Sequence, residues 1–353
     1  MKYLIVQDWP NTSGNHAGMV HMCRLLTNLY PEKYKVVVMK DLPTHHYKRF
    51  VLIRKTVSFI YKYYGSHNLM LKKYLYLCRD IWPAVKAGDE FFLLEYLFPG
   101  VSQYKLAKYI RTHYPGVHIY GLAHLTPTIL DSIFFFGSVI RKWVAPLDKI
   151  LTLGTSLSRY LQDKGNLSEQ KISTGFHYVD SIYYHREHFP DVGKVTIIIM
   201  GSLQRNFQLI ASIVKKVPEV NWIICQGSSH YESLFADCPG NISLKGFMSE
   251  DELRQLMSES DLSLNVMADT VGSNVITTSM AMGLGLIVSD VGSIRDYCSA
   301  ENAVFCKNEV DSFVSAIKPL VTDKERVDNM KRASCRMAES LNVRNVDEWF
   351  DNL

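Results

Sequence analysis

The sequence predicts an α/β protein of two domains, each a parallel sheet covered on both faces by helices. Three observations carry this. Near-continuous apolar runs of strand length alternate with helix-length segments. The alternation comes in two series, divided near "HFPDVGK". The chain has 353 residues, more than the ~250–300 at which a single core stops growing.

In the first series "KYLIVQ", "YKVVVM", "EFFLLEY", "VHIYGLAHL" and "KILTLG" read as buried parallel strands. In the second, "KVTIIIMGS", "VNWIICQGS", "NISLKGF", "DLSLNVM" and "LGLIVSD" do the same. Domains of this kind are Rossmann-like. Their ligands bind beyond the carboxyl ends of the strands, so two of them set a central cleft as the place to look. The expected boundaries are 1–188, 189–335 and a closing helix over 336–353 that either caps the second domain or packs back on the first.

Composition narrows the functional classes. A hydrophobic content of 47%, a charged content of 21% and a formal net charge of +4 suit a folded protein and make no case for nucleic acid. The seven cysteines show no CxxC and no metal-like spacing with histidine, as expected of reduced thiols in a cytosolic protein. "MKYLIV" is too short for a signal h-region. No stretch reaches the roughly 18 apolar residues of a membrane span, and the most apolar one, "IFFFGSVI", stops at Arg141 and Lys142.

The second series carries motifs. Gly201 follows "TIIIM", where a glycine lets a ligand approach the backbone, and "GSLQRNF" then offers Ser202 and Arg205. Ser249 with Glu252 makes a capping-box pattern behind Gly246. "GSNVITTSMAMG" supplies a glycine turn, a polar N-cap candidate in Ser273 or Asn274, and a helix closed by Gly283. A helix start behind such a turn presents backbone N–H groups to an anion. The alternatives are a water-facing Arg205 or Lys245 and a helix start with no ligand.

Over residues 195–300 this half resembles the donor domain of the group 1 (family 4-like) glycosyltransferases, which have the GT-B fold. Their ordered patterns are "G-R-L…K-G", "G-F-V-S…E-L…A-D" and "E-G-F-G…E-A-M-A-x-G-x-P-V-V…D-x-G-G". Against these stand "GSLQRNF", "KGFMSEDELRQLMSESD" and "VGSNVITTSMAMGLGLIVSDVGSIRDY". In the first half, "DWPNTSGNHAGMVHMCRLL" resembles the glycine loop and helix after the first strand, with Gly14 and Asn15 shaping it.

The resemblance implies roles for single residues. Gly201, Ser202 and Arg205 fall at the donor diphosphate, and Phe247 and Met248 at the nucleobase. Gly272, Ser273, Asn274 and Val275 face phosphate or sugar, and Ser279 takes the place of the ribose-binding glutamate. His124 stands for the first-domain histidine at the donor sugar. Ser202 replaces an arginine, and Val271 and Ser279 replace both glutamates of the family, leaving Asp269 as the carboxylate of that loop. Glu95, ending "FFLLE", is a candidate acceptor-side base or an ion-pair partner.

One segment stands apart. From Leu42 to Arg79 there is no Asp or Glu, while Lys48, Arg49, Arg54, Lys55, Lys62, Lys72, Lys73 and Arg79 all fall there. As a helix, Phe50, Ile53, Val57, Ile60 and Tyr64 share one face. A basic amphipathic stretch of this kind is suited to an anionic membrane, and the alternative is an ordinary domain helix with solvated charges.

Together these imply a glycosyltransferase that moves a sugar from a nucleotide-diphosphate sugar to a glycan or lipid-linked acceptor. Its expected setting is cell-surface polysaccharide synthesis, with retention of configuration and no bound metal or other cofactor. Its expected place is the cytoplasm, on the inner face of the cell membrane. The alternatives are a catalytically silent partner subunit of the same fold and a sugar-nucleotide epimerase.

Overall fold

The computed structural model describes residues 1–9, 14–40, 66–188, 193–227, 230–238 and 240–353. They form two compact units, Met1–Gly175 with Asp347–Leu353, and Phe176–Val346.

The first unit is built on six strands: β1 (Lys2–Asp8), β2 (Tyr34–Lys40), β3 (Glu90–Leu93), β4 (His118–Ala123), β5 (Lys149–Thr152) and β6 (Ile172–Thr174). They lie in the order β2-β1-β3-β4-β5-β6, every pair parallel. The described helices are α1 (Met19–Leu29), α2 (Ser66–Leu77), α3 (Gln103–His113), α4 (Pro127–Ile133), α5 (Gly137–Val144) and α6 (Thr155–Asp163). Strand β1 is buried from Lys2 through Gln7, which is why it reads as a continuous apolar run rather than an alternating one. The chain turns from one side of the sheet to the other between β1 and β3.

The final residues belong to this unit. Phe350 stacks on Phe92 with ring centroids 4.3 Å apart. Trp349 lies against Gly175, where a Cβ would come within 2.5 Å of the indole, and its Nε1 donates to Ser173 Oγ at 2.9 Å. Lys33 reaches Asp347 at 2.5 Å and Asp351 at 2.6 Å. These aromatic and ionic contacts fix the C-terminal segment of α13 (Val343–Asp351).

The second unit repeats the plan with β7 (Thr196–Met200), β8 (Asn221–Cys225), β9 (Ile242–Lys245), β10 (Leu262–Asn265), β11 (Gly285–Ser289) and β12 (Ala303–Cys306). The order is β12-β11-β10-β7-β8-β9, again parallel throughout, with the reversal between β7 and β10. Its helices are α7 (Phe207–Lys216), α8 (Glu250–Ser258), α9 (Asn274–Ala281), α10 (Ile294–Tyr297), α11 (Val310–Thr322) and α12 (Lys324–Ala338). The capping box at α8 is formed: Ser249 N–H donates to Glu252 Oε2 at 2.8 Å and Glu252 N–H to Ser249 Oγ at 3.3 Å.

The units divide at Gly175, upstream of the division read from the two series of strands, because the segment after it is tied to the second unit. Tyr184 donates to Glu250 at 2.5 Å, Tyr183 to Asp251 at 2.6 Å and Arg186 to the Ser260 carbonyl at 2.9 Å. A buried ion pair holds α12 to the sheet: Lys331 Nζ lies 2.5 Å from Asp261 Oδ1, while Asp261 Oδ2 accepts from Thr196 N–H at 2.9 Å. Each partner satisfies the other, and removing one alone would strand a buried charge.

One glycine in the second unit is fixed by geometry. Gly292 has φ +55°, and a Cβ there would fall 2.1 Å from the Thr270 carbonyl oxygen. Gly292→Ala is expected to destabilise the protein by at least about 2 kcal/mol, combining a left-handed backbone with a backbone clash. Urea unfolding checks this; a change within about 0.5 kcal/mol, the range of ordinary surface substitutions, would contradict it.

Candidate active site

Ligands of doubly wound sheets bind at the carboxyl ends of the strands where the strand order reverses. In both units the chemistry-bearing side chains gather at that place.

In the second unit, β7 ends at Met200 and the chain turns through Gly201 with φ +75°. The turn is close to α9: a Cβ on Gly201 would lie 3.4 Å from Val275 Cγ2. It is also stitched to the end of β10. Arg205 and Met267 form an antiparallel bridge, Asn206 N–H donates to the Val266 carbonyl at 3.2 Å and Ala268 N–H to the Gln204 carbonyl at 2.9 Å. Ser202 is exposed on this turn.

Arg205 is the centre of the arrangement. Its Nη2 donates to Asn265 Oδ1 at 2.9 Å and its Nε to the Met200 carbonyl at 3.3 Å. Among the described residues no carboxylate pairs with it. Burial, which disfavours the charged form, pushes its pKa down to about 10, so the side chain is still a cation at neutral pH. Asn265 is oriented from behind: its Nδ2 donates to Ser263 Oγ at 3.0 Å, and Ser279 Oγ donates to the same oxygen at 3.1 Å. The chain Ser279–Ser263–Asn265–Arg205 holds the guanidinium by neutral groups and leaves its charge uncompensated.

The start of α9 is the second feature. Gly272 has φ +112°, and Ser273, at the N-cap, adopts an extended conformation with no side-chain cap. Ile276 and Thr277 N–H donate to the Ser273 carbonyl at 3.0 and 3.1 Å. The first turn carries no acid, so the leading N–H groups and the positive helix end suit an anion. Phe247 is 72% exposed at the end of β9, next to half-buried Met248.

One residue of α9 is placed differently from the expectation. Ser279 is fully buried with its hydroxyl turned to Ser263 in the sheet, because it lies on the core face of α9. Read from the closing Met280-Ala281-Met282-Gly283, the family's glutamate falls on Thr278, one residue earlier. Thr278 donates to the Asn274 carbonyl at 2.6 Å on the first turns of the helix. The signal was in the pattern: "E-A-M-A-x-G" set on "TSMAMG" gives threonine for glutamate and Ser279 for the small core residue. Val271 is buried, and Asp269 Oδ1 accepts from Thr270 N–H at 2.8 Å.

In the first unit, Glu95 and His124 follow β3 and β4 and form an ion pair, Nε2 to Oε2, at 3.1 Å. Trp9, just past β1, donates from its indole Nε1 to Glu95 Oε1 at 3.2 Å. Sequence reading missed Trp9; its signal was an aromatic donor immediately after the first strand. Glu95 is 2% exposed, and its backbone N–H donates to Gln103 Oε1 at 2.8 Å, while Gln103 Nε2 donates to the Ile5 carbonyl at 3.1 Å. Burial opposes the imidazolium of His124, but the charge of Glu95 and its hydrogen bond outweigh it, and the pKa rises above the ordinary value. With Nε2 turned to Glu95, Nδ1 has no hydrogen-bond partner among the described residues.

Gly14, with φ +87° and no described residue within 4 Å of an added Cβ, leads with Asn15 into α1; the Asn15 carbonyl accepts from Gly18 N–H at 3.1 Å. Of the basic segment, Lys48, Arg49, Arg54, Lys55 and Lys62 lie outside the described residues, as do Phe50, Ile53, Val57, Ile60 and Tyr64. Lys72 is exposed on α2, whereas Lys73 donates to the Lys40 carbonyl at the end of β2. Among the described residues no helix is long and apolar enough to cross a membrane.

This architecture, two parallel six-stranded units with flanking helices, is that of the GT-B fold. Residues 194–323 match the family model of glycosyl transferases group 1. Solved structures agree in fold. A glycosyltransferase from Rickettsia africae is 12% identical with a TM-score of 0.70, covering 99% of this chain and 98% of its own. Sucrose-phosphate synthase from Thermosynechococcus elongatus is 9% identical with a TM-score of 0.73, covering 100% and 99%. HepE from Anabaena, solved in complex with UDP, is 13% identical with a TM-score of 0.66 and covers 100% of both chains. No curated protein matches the sequence.

Two outcomes follow from the geometry. Because the folded state favours the His124 imidazolium, the pair's contribution to stability is present below the unfolded pKa. It is lost as pH rises through the raised folded value. Glu95→Gln is expected to lower the His124 pKa and remove that dependence, read by NMR titration of the imidazole; an unchanged pKa would contradict the pairing. Asn265→Asp is expected to give Arg205 a counter-charge. The variant should be at least as stable as the parent yet bind inorganic pyrophosphate at least about tenfold more weakly, measured by calorimetry. Equal pyrophosphate affinity would show that Arg205 is not the anion contact.

Proposed function

We propose that the protein transfers a sugar from a nucleotide-diphosphate sugar to a glycan or lipid-linked acceptor in the building of a cell-surface polysaccharide. The observation that carries the donor half of this reading is Arg205: a half-buried guanidinium at the β7–β10 reversal, held by Asn265 and a carbonyl, with no carboxylate partner among the described residues. Such a cation is suited to the charge that develops on a departing diphosphate, and preset donors of this kind stabilise a transition state without reorganising. The uncapped start of α9 supplies further N–H groups for the same anion, so the proposal needs no bound metal. HepE, of the same fold, was solved with UDP and with UDP and glucose, which supports a uridine nucleotide as the first candidate donor.

His124 is assigned to the reacting sugar. Its Glu95-stabilised imidazolium can donate from Nδ1 to a hydroxyl or phosphate oxygen, and the pair fixes ring orientation. Phe247 is assigned to the nucleobase. Retention of configuration is the proposed outcome. An acceptor carried on lipid fits the acid-free basic segment and places the enzyme as a peripheral protein on the inner face of the membrane.

The test is a thermal-shift panel of UDP, GDP, ADP, dTDP and CMP. One nucleotide is expected to raise Tm, since ligand at about 100 times its Kd adds ~2.7 kcal/mol of stability. Arg205→Ala should weaken its binding by about 1.5–3 kcal/mol, the value of hydrogen bonds to a charged group. A flat panel at millimolar nucleotide would overturn the donor site and favour a silent partner subunit.

A further inference from the structure

We infer that the turn Phe135-Phe136 and the outer face of α5 form a wedge that inserts into the surface of an anionic lipid bilayer. This rests on the membrane-linked acceptor of the proposed function but uses residues that reading did not assign. Three phenylalanines follow one another between α4 and α5, and the structure treats them differently. Phe134 is buried against Trp143, with ring centroids 5.1 Å apart, whereas Phe135 and Phe136 are 79% and 71% exposed. Val139, three residues into the helix turn after Phe136, is exposed as well, while Ile140 and Val144 hold the opposite face of α5 in the core. Single exposed apolar residues are ordinary; two adjacent phenylalanines with a valine on one protruding turn form a patch that calls for a partner.

Charge selects the occupant. Arg141 and Lys142, both exposed, follow directly on the same helix. Arg141 donates to the Gly165 carbonyl at 3.3 Å, and Lys142 has no carboxylate partner among the described residues. From Ser132 to Leu147 the chain contains no acid. The nearest upstream acid, Asp131, is already neutralised by Lys164 and accepts from Tyr160 at 3.0 Å. Bulky apolar tips beside uncompensated cations match a surface that is apolar at depth and anionic at its face. A protein partner with an apolar groove would meet the phenylalanines but leave the cations unexplained. Trp143, stacked on Tyr104 with centroids 5.0 Å apart, braces α5 from the protein side.

Two variants of the full chain separate this from other readings: Phe135→Ser with Phe136→Ser, which removes exposed rings and leaves the core untouched, and Phe136→Trp as a reporter. In sedimentation with vesicles of equal phosphatidylglycerol and phosphatidylcholine, the double serine variant is expected to lose at least about tenfold in partition coefficient, equivalent to ~1.4 kcal/mol. The added tryptophan is expected to shift to the blue and be quenched by brominated lipid beyond the parent signal. If the parent binds and the serine variant binds equally, or the tryptophan is not quenched, the wedge is overturned while the membrane reading stands on the basic segment. If the parent does not bind these vesicles at all, both fall. If the serine substitutions instead abolish a concentration-dependent dimer in sedimentation velocity and leave vesicle binding unchanged, the patch is a contact between copies. Nucleotide-induced thermal shifts are expected to be the same in parent and variants.

Discussion

The constraint on which the candidate site depends is a half-buried positive charge held by neutral groups. Arg205 sits where the strand order of the second unit reverses, and its hydrogen bonds go to an amide oxygen and a backbone carbonyl. Taking a cation out of water without a counter-charge is unfavourable. A fold tolerates it where the geometry is enforced from outside the pair, and here three polar side chains in series enforce it. Ser279 and Ser263 turn the Asn265 amide so that its oxygen faces the guanidinium. A carboxylate at 265 would hold Arg205 as well and leave nothing for a phosphate.

The same logic shapes the first unit with the opposite sign. Glu95 is a nearly inaccessible carboxylate at the end of β3, and it is met by an indole N–H and an imidazole. The proton it favours on His124 sits on a ring whose other nitrogen has no hydrogen-bond partner among the described residues. Each unit thus carries polar side chains at the carboxyl ends of its central strands. At the opposite end of β10, Asp261 is paired with Lys331. A parallel sheet buried on both faces has few other places to keep a polar function.

Much of this was legible before any coordinates. Buried parallel strands write themselves as apolar runs, so all ten strands named from the sequence are present, and the Ser249–Glu252 capping box is local and formed. The GT-B class was legible because ordered motifs persisted. What failed to show were relations between distant segments. Nothing in "QDWPN" announces that Trp9 will meet Glu95, since the contact depends on β1 and β3 lying side by side. Ser279 was expected to face a ligand, but on a helix one position turns a side chain by about 100°, and Ser279 falls on the core face. The boundary at Gly175 was hidden because Tyr183, Tyr184 and Arg186 look like linker residues until their partners on and just after α8 are known.

The most direct test of the account is hydrogen–deuterium exchange of the full chain with and without the nucleoside diphosphate it binds. The account predicts slowed exchange in peptides covering residues 201–206 and 272–278, where the β7 turn meets the uncapped start of α9. Saturating nucleotide that leaves both peptides unchanged, with protection confined to other parts of the chain, would contradict it.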